Sequence, residues 1–197
     1  LRMSEVRAQG QTFNRSASGV SHHLYIDGSL MLHSSGVDPQ TGLRNSAVLG
    51  HLQGEGCDDD QLGADDATDA RIISPVRALE AIRVVEVAAG VSHSLALAES
   101  GAVYSMGHNS FGQLGEAITA TAIDGRGPKR VDGLPGACQR VSAGAHFSFV
   151  LAADGALYAF GSNHYGELGL GPVRRNVDTP TLVSPHGHPL RPLQQVA

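Results

Sequence analysis

Cations are scarce in this sequence. A single lysine, Lys129, accompanies thirteen arginines, no dense basic run occurs, and the formal net charge is −5. Duplex nucleic acid is held by clustered cations that displace counterions, so direct nucleic-acid binding is not expected. Cysteine is scarcer relative to length: Cys57 and Cys138 lie in unrelated contexts and form at most one bridge, which is no disulfide framework and makes a reducing compartment the default. No apolar run is long enough to cross a bilayer, and no amino-terminal segment has the charged, apolar and cleavage regions of a signal peptide. The resulting expectation is an intracellular protein, cytoplasmic or nuclear, with no membrane partner. Asn14-Arg15-Ser16 matches a glycosylation acceptor, but such triplets are frequent by chance and carry no weight without a secretion signal.

Glycine is what the chain has in quantity, 25 of 197 residues. With few long apolar helical stripes, this favours a turn-rich β protein, and 41% hydrophobic residues suffice for a substantial core. The glycines keep a period. Gly90, Gly101, Gly107, Gly112 and Gly115 each recur 54 residues later, at Gly144, Gly155, Gly161, Gly166 and Gly169. A fixed period of this length is the mark of a repeat architecture. Inside each copy, Ser94 to Ala98 and Phe149 to Ala152 are strand-like, Ser100-Gly101 and Asp154-Gly155 supply turn residues able to take positive φ, and Val103-Tyr104 and Leu157-Tyr158 return the chain.

An earlier, weaker copy opens at Ala17-Ser18-Gly19-Val20-Ser21-His22-His23-Leu24. Asp27-Gly28 places a glycine nine residues after Gly19 where the later copies use eleven, which predicts a tightened first hairpin. From Gly28 the glutamine-leucine-glycine turn ends 35 residues on, at Gln61-Leu62-Gly63, instead of 14, which implies a surface insertion near 34–55. Strand-like pieces follow each copy, at Ile72, Ile73 and Val76 and then Val84 to Val87, at Pro128 to Val131 and then Arg140 to Ser142, and at Pro180 to Val183 and then Gln195 to Ala197. The expected division is a first, degenerate repeat over 1–70, a second over 71–124, and a third over 125–197 that includes the start of another copy. About four short strands per unit of ~50 residues describes a propeller blade. The predicted fold is therefore all-β: blades of four antiparallel strands, forming part of a propeller. A chain that opens on Leu1 and stops as a further copy begins is expected to be a fragment.

The stretch Ala89 to Gly115, with Asn163, Gly166, Leu168 and Gly169 in the next copy, resembles the repeat of the regulator of chromosome condensation family. The resemblance implies about three blades of an expected seven. The family includes the chromatin-bound exchange factor for the Ran GTPase, ubiquitin ligases that carry the propeller as a recognition part, and many scaffolds, so fold does not choose function. In the exchange factor the loop between the repeated glycine and histidine meets the GTPase. The matching positions here supply the candidate partner-binding residues Ser21, His22, Ser92, His93, His146 and Phe147. None of these loops holds an acidic residue, whereas acidic side chains matter on that face of the exchange factor. The family's plant ultraviolet-B photoreceptor depends on tryptophans, and this chain has none. What the resemblance implies first is a protein-interaction scaffold, not an enzyme; the alternatives are a nucleotide exchange factor with a small GTPase as partner, and the recognition part of a larger ubiquitin ligase or kinase.

Other constellations yield to simpler explanations. Ser92-His93-Ser94 and Ser21-His22-His23 place hydroxyls beside imidazoles, but they recur with the repeat and no acid recurs to orient the ring. Asp58-Asp59-Asp60, with Asp69, partly imitates a calcium loop whose fifth position, Leu62, offers no side-chain oxygen. His186-Gly187-His188, with His164 upstream, has no cysteine or carboxylate at ligand spacing and reads as a Pro- and Gly-rich loop, and Gly125 to Lys129 lacks the form of a phosphate loop. Neither a metal nor a cofactor is expected. Tyr104, Phe111, Tyr158, Phe160 and Tyr165 follow the repeat and are expected between blades.

Overall fold

The computed structural model describes residues 13–20, 22–36, 73–118, 126–172 and 175–183. Twelve strands form three four-stranded sheets, each an antiparallel meander in chain order. The first holds β1 (Phe13–Ser18), β2 (His22–Asp27), β3 (Leu32–Gly36) and β4 (Ser74–Pro75). The second holds β5 (Val84–Ala89), β6 (His93–Ala98), β7 (Val103–Gly107) and β8 (Arg126–Arg130); the third holds β9 (Cys138–Ala143), β10 (Phe147–Ala152), β11 (Leu157–Gly161) and β12 (Val177–Leu182). A short 3-10 helix, Arg77–Leu79, links the first two sheets. The fourth strands of the first two sheets, β4 and β8, lie past the points where the sequence repeats are divided, at 70/71 and 124/125, so in these two sheets the blade extends one strand into the next sequence repeat. Of the stretch near 34–55, Ser34 and Ser35 are buried within β3, and 37–55 lies outside the described residues.

Strands β1, β5 and β9 contact one another in turn, while the second strands contact the first strand of the following sheet. The sheets therefore fan from a shared inner edge, as propeller blades do. Their inner strands share a defect: each ladder slips at the second or third residue, between Phe13 and Arg15, between Val84 and Glu86, and opposite Leu151 and Ala152. A bulge at a fixed position bends and twists the strand, which suits a blade that turns away from its neighbour.

Hydrophobic cores lie between blades. Leu24, Ile26 and Leu32 of the first sheet meet Val84, Ala96 and Met106 of the second. Leu95, Leu97 and Val103 on the other face of the second meet Val141, Val150 and Phe160 of the third. Strand β6, covered on both faces, is buried at all six positions. The outer strands carry Pro75, Pro128 and Pro180. A residue with no N–H to donate blunts the exposed edge against further pairing.

The first hairpin is not tightened. Ile26 pairs with Leu32 as Leu97 pairs with Val103 and Leu151 with Leu157, so all three connections have one length. The position filled by Gly101 and Gly155, at φ 83° and 87°, is filled in the first blade by Leu30 at φ 64°. Asp27 supports this conformation: one carboxylate oxygen accepts the N–H groups of Ser29 at 2.8 Å and Met31 at 3.0 Å, and the other meets His33 Nε2 at 2.9 Å. Gly28 sits inside the turn, between Asp27 and Ser29, without a positive φ, and it is Gly36, at φ 117°, that matches Gly107 and Gly161 at 107° and 113°.

Candidate interaction face

One end of the fan is built from two kinds of loop. The first joins the inner strand to the second strand of each blade and begins at Gly19, Gly90 or Gly144. A Cβ at Gly90 would lie 2.5 Å from the Gly144 carbonyl oxygen and 2.3 Å from His93 Cε1, so only glycine lets neighbouring loops and the ring beneath them approach. Across the same seam Val91 N–H donates to Ala145 O at 3.1 Å.

Below these loops the repeated histidine joins one blade to the next. His22 Nε2 lies 2.9 Å from Ser94 Oγ, and His93 Nε2 lies 3.0 Å from Ser148 Oγ. The Ser148 hydroxyl donates to Gln113 O at 2.8 Å, so it accepts from His93, which fixes the Nε2–H tautomer. His93 is fully buried. Burial first, and then the proximity of His22 and His146, push its pKa from 6.5 down to about 3, with a hydrogen bond to the Phe147 backbone opposing. The ring is therefore neutral. In the third blade Phe147 takes the histidine's place under Gly144 and packs edge-on to Phe149, with ring centroids 5.7 Å apart.

The second kind of loop follows the third strand. In the second blade Asn109 Oδ1 accepts Leu114 N–H at 3.0 Å, its Nδ2 donates to Glu116 O at 3.0 Å, and Gln113 Oε1 accepts Phe111 N–H at 2.8 Å. The Phe111 ring reaches across the seam to His146, with ring centroids 4.7 Å apart. In the third blade Asn163 Oδ1 accepts Leu168 N–H at 3.0 Å, and Glu167 Oε2 accepts Tyr165 N–H at 2.9 Å.

Of the residues singled out from the sequence, His22, His93 and Ser92 are buried in the seams, and His146 and Phe147 are half-buried. Ser21 lies outside the described residues, as do Asp58 to Asp69 and His186 to His188. No carboxylate orients His93, and among the described residues no group of His, Cys, Asp and Glu could hold a metal ion. The exposed positions at this end are different ones: Val20, Ile118 and Tyr165, at 73%, 39% and 91%. Sequence reasoning also missed a charged row on the inner wall. Arg15, Glu86 and Arg140 each stand four residues before the loop glycine. Arg140 donates to Glu86 Oε1 at 3.4 Å, Val141 N–H to Glu86 Oε2 at 3.3 Å, and the Arg15 guanidinium to Val85 O. The 54-residue offset between Glu86 and Arg140 was available as a signal, but a change of sign at an equivalent position hides it.

Two profiles described as "Regulator of chromosome condensation (RCC1) repeat" match, one over residues 84–113 and 138–167 and the other over 100–151 and 154–197. The ultraviolet-B receptor UVR8 of Arabidopsis thaliana is 37% identical over 112 residues, covering 56% of this chain and 25% of the receptor. The probable E3 ubiquitin-protein ligase HERC4 of Rattus norvegicus is 38% identical over 101 residues, covering 51% of this chain and 9% of the ligase. The chain thus spans a quarter or less of either relative. Among solved structures, Prp20p from Saccharomyces cerevisiae, described with its binding to Gsp1p and histones, superposes with a TM-score of 0.67 at 21% identity, over 88% of this chain and 39% of that one. At that identity the likeness is one of fold.

Proposed function

The chain belongs to the regulator of chromosome condensation (RCC1) repeat family, and on that premise we propose that it is a propeller interaction scaffold, without catalysis of its own, that binds a protein partner through its loop face. One observation carries this reading. Four large hydrophobic residues are exposed among those described, and three of them, Val20, Ile118 and Tyr165, lie in loops at the same end of the blades. Exposed apolar groups gathered on rigidly held loops are where a partner is gripped. What remains of the insertion once 34–36 are placed in β3, residues 37–55, is proposed as a second contact, being a long stretch that the repeat does not explain.

Partner capture from cell extract tests the face. Val20→Asp, Ile118→Asp and Tyr165→Ala should strip a captured protein, while Glu99→Ala, on the hairpin at the opposite end, should leave it bound. If every loop-face variant captures the same proteins as the unaltered chain, the reading fails. The solved yeast relative described with Gsp1p makes a small GTPase the first purified partner to try. An exchange role would appear as faster release of a fluorescent nucleotide from the GTPase, through tighter binding of its empty form.

A further inference from the structure

The loop after β7 belongs to the second blade but takes its shape against the third. Its N–H groups are bonded within the loop, Gly112 to Asn109 O at 3.2 Å, Gly115 to Gly112 O at 3.0 Å, Phe111 to Gln113 Oε1 and Leu114 to Asn109 Oδ1. The turns so formed press on the neighbouring sheet. A Cβ at Gly112 would lie 2.7 Å from Asp178 Cα in β12, and one at Gly115 would lie 3.1 Å from Phe160 Cε2 in β11. Both residues also take positive φ, 83° and 75°, so glycine is needed for the turn and for the approach alike.

A polar bond ties this loop to the third blade from beneath. Ser148, fully buried in β10, accepts from His93 Nε2 and donates its own hydroxyl to Gln113 O at 2.8 Å. Gln113 is itself only 1% exposed, its side chain holds the Phe111 N–H, and the Phe111 ring lies on His146. One carbonyl, one amide and one ring of the turn are thus set by where the third blade stands. Past the turn, Asn109 Nδ2 holds Glu116 O, two residues before the exposed Ile118. The second blade supplies the floor, where Ser105 Oγ donates to Leu114 O at 2.8 Å. A buried hydroxyl must find an acceptor, and that of Ser148 finds it across the seam, on a loop of the interaction face.

We infer that Ser148 is a positioning residue of the interaction face: buried beyond a partner's reach, it holds the loop 109–116 in the form that presents Ile118. The inference rests on the loop-face reading and adds that the second blade's part of that face is completed by the third. What a partner meets there is a seam rather than a single blade. His93 matters less to the loop than Ser148 does, because its bond ends at the hydroxyl, whereas the bond from the hydroxyl reaches the loop backbone. The two bonds can be removed separately.

The test uses the 197-residue chain, with amide hydrogen exchange read at Phe111, Gly112, Leu114 and Gly115 and partner capture as a second readout. Ser148→Ala should speed exchange at these amides by about threefold to tenfold, as the loss of one hydrogen bond allows, and should weaken capture. His93→Phe combined with Ser148→Ala removes the hydroxyl without leaving the imidazole N–H unpaired, and should speed them as much. His93→Phe alone keeps the tie to Gln113 and should leave them unchanged. Ser94→Ala makes the same change in the seam between the first and second blades; it too should leave them unchanged, which a general loosening of the fold would not. Unchanged exchange in both Ser148 variants, or equal acceleration in Ser94→Ala, would overturn the proposal. So would faster exchange with capture intact, where Ile118→Asp still strips the partner. If Ile118→Asp leaves capture intact as well, it is the loop-face reading that has failed, and the exchange comparison alone decides whether Ser148 positions the loop.

Discussion

His93 shows how much one side chain decides here. It is fully buried, neutral, and bound to the following blade through Ser148. Its pKa lies at about 3 in the fold against 6.5 for a free imidazole. Above pH 6.5 neither folded nor unfolded chain protonates the ring, so stability is unaffected. Between 6.5 and about 3 the unfolded chain takes up a proton that the fold refuses, and stability falls as pH falls, by at most on the order of 5 kcal/mol. His93→Phe, which copies Phe147, should cost about 1 kcal/mol at neutral pH through the lost hydrogen bond. It should also lose much of the decline between pH 6.5 and 4. Urea unfolding of both proteins across that range checks this, and parallel pH profiles would contradict it. The sequence made His22 and His93 conspicuous as repeated polar residues beside serines. It did not disclose their direction, because a histidine at the start of a strand fits a surface loop and a buried seam equally well until the partner serine is placed.

At the scale of the hairpin, one backbone position is solved in two ways. Gly101 and Gly155 take the left-handed conformation at no steric cost, whereas Leu30 takes it with Asp27 holding the turn. The exchange should therefore be asymmetric. Leu30→Gly relieves about 1 kcal/mol of backbone strain and gives up a similar amount of burial, leaving stability within about 1 kcal/mol. Gly101→Leu adds that strain and sets a Cβ 2.9 Å from Ala137 Cα, a backbone atom that cannot step aside. A loss of about 3 kcal/mol or more is expected, measurable as a lowered urea midpoint. Equal losses in the two variants would contradict this account. The same asymmetry explains what the sequence concealed. Glycines mark register only where glycine does the work, so Gly28 drew the alignment two residues off and displaced the apparent start of the insertion. The later copies, with glycine at every such place, had their strands and turns legible at Ser94 to Tyr104 and at Phe149 to Tyr158.

For the molecule as a whole, stability resides between sheets rather than within them. Val150, fully buried against the second sheet, belongs to one seam and not the other. Val150→Asp should cost about 3–5 kcal/mol by burying an unpaired charge. The loss should stay local, because stacked repeats are stabilised by nearest neighbours. Amide hydrogen exchange should show β6 and β10 losing protection together while β2 and β3 keep theirs; a uniform loss would point to a single cooperative unit. The blades were legible as a family resemblance because a 54-residue period fixes what faces what. The tie from Ser148 to Gln113 was less so, since a serine within a strand gives no sign of which loop its hydroxyl meets until the neighbouring blade is placed.

The histidine-to-serine contact also gives the stack a direction. The second blade offers Ser94 to the blade before it and His93 to the blade after it, so it fits a copy of itself on either side. The third blade breaks that symmetry, accepting through Ser148 but presenting Phe147 onward. A gene that duplicated the second blade would lengthen the array in register with no new contact to invent, whereas one that duplicated the third would have to set an aromatic ring against a hydroxyl built to receive a donor. Growth of such an array by tandem duplication is thus permitted at one blade and discouraged at the next.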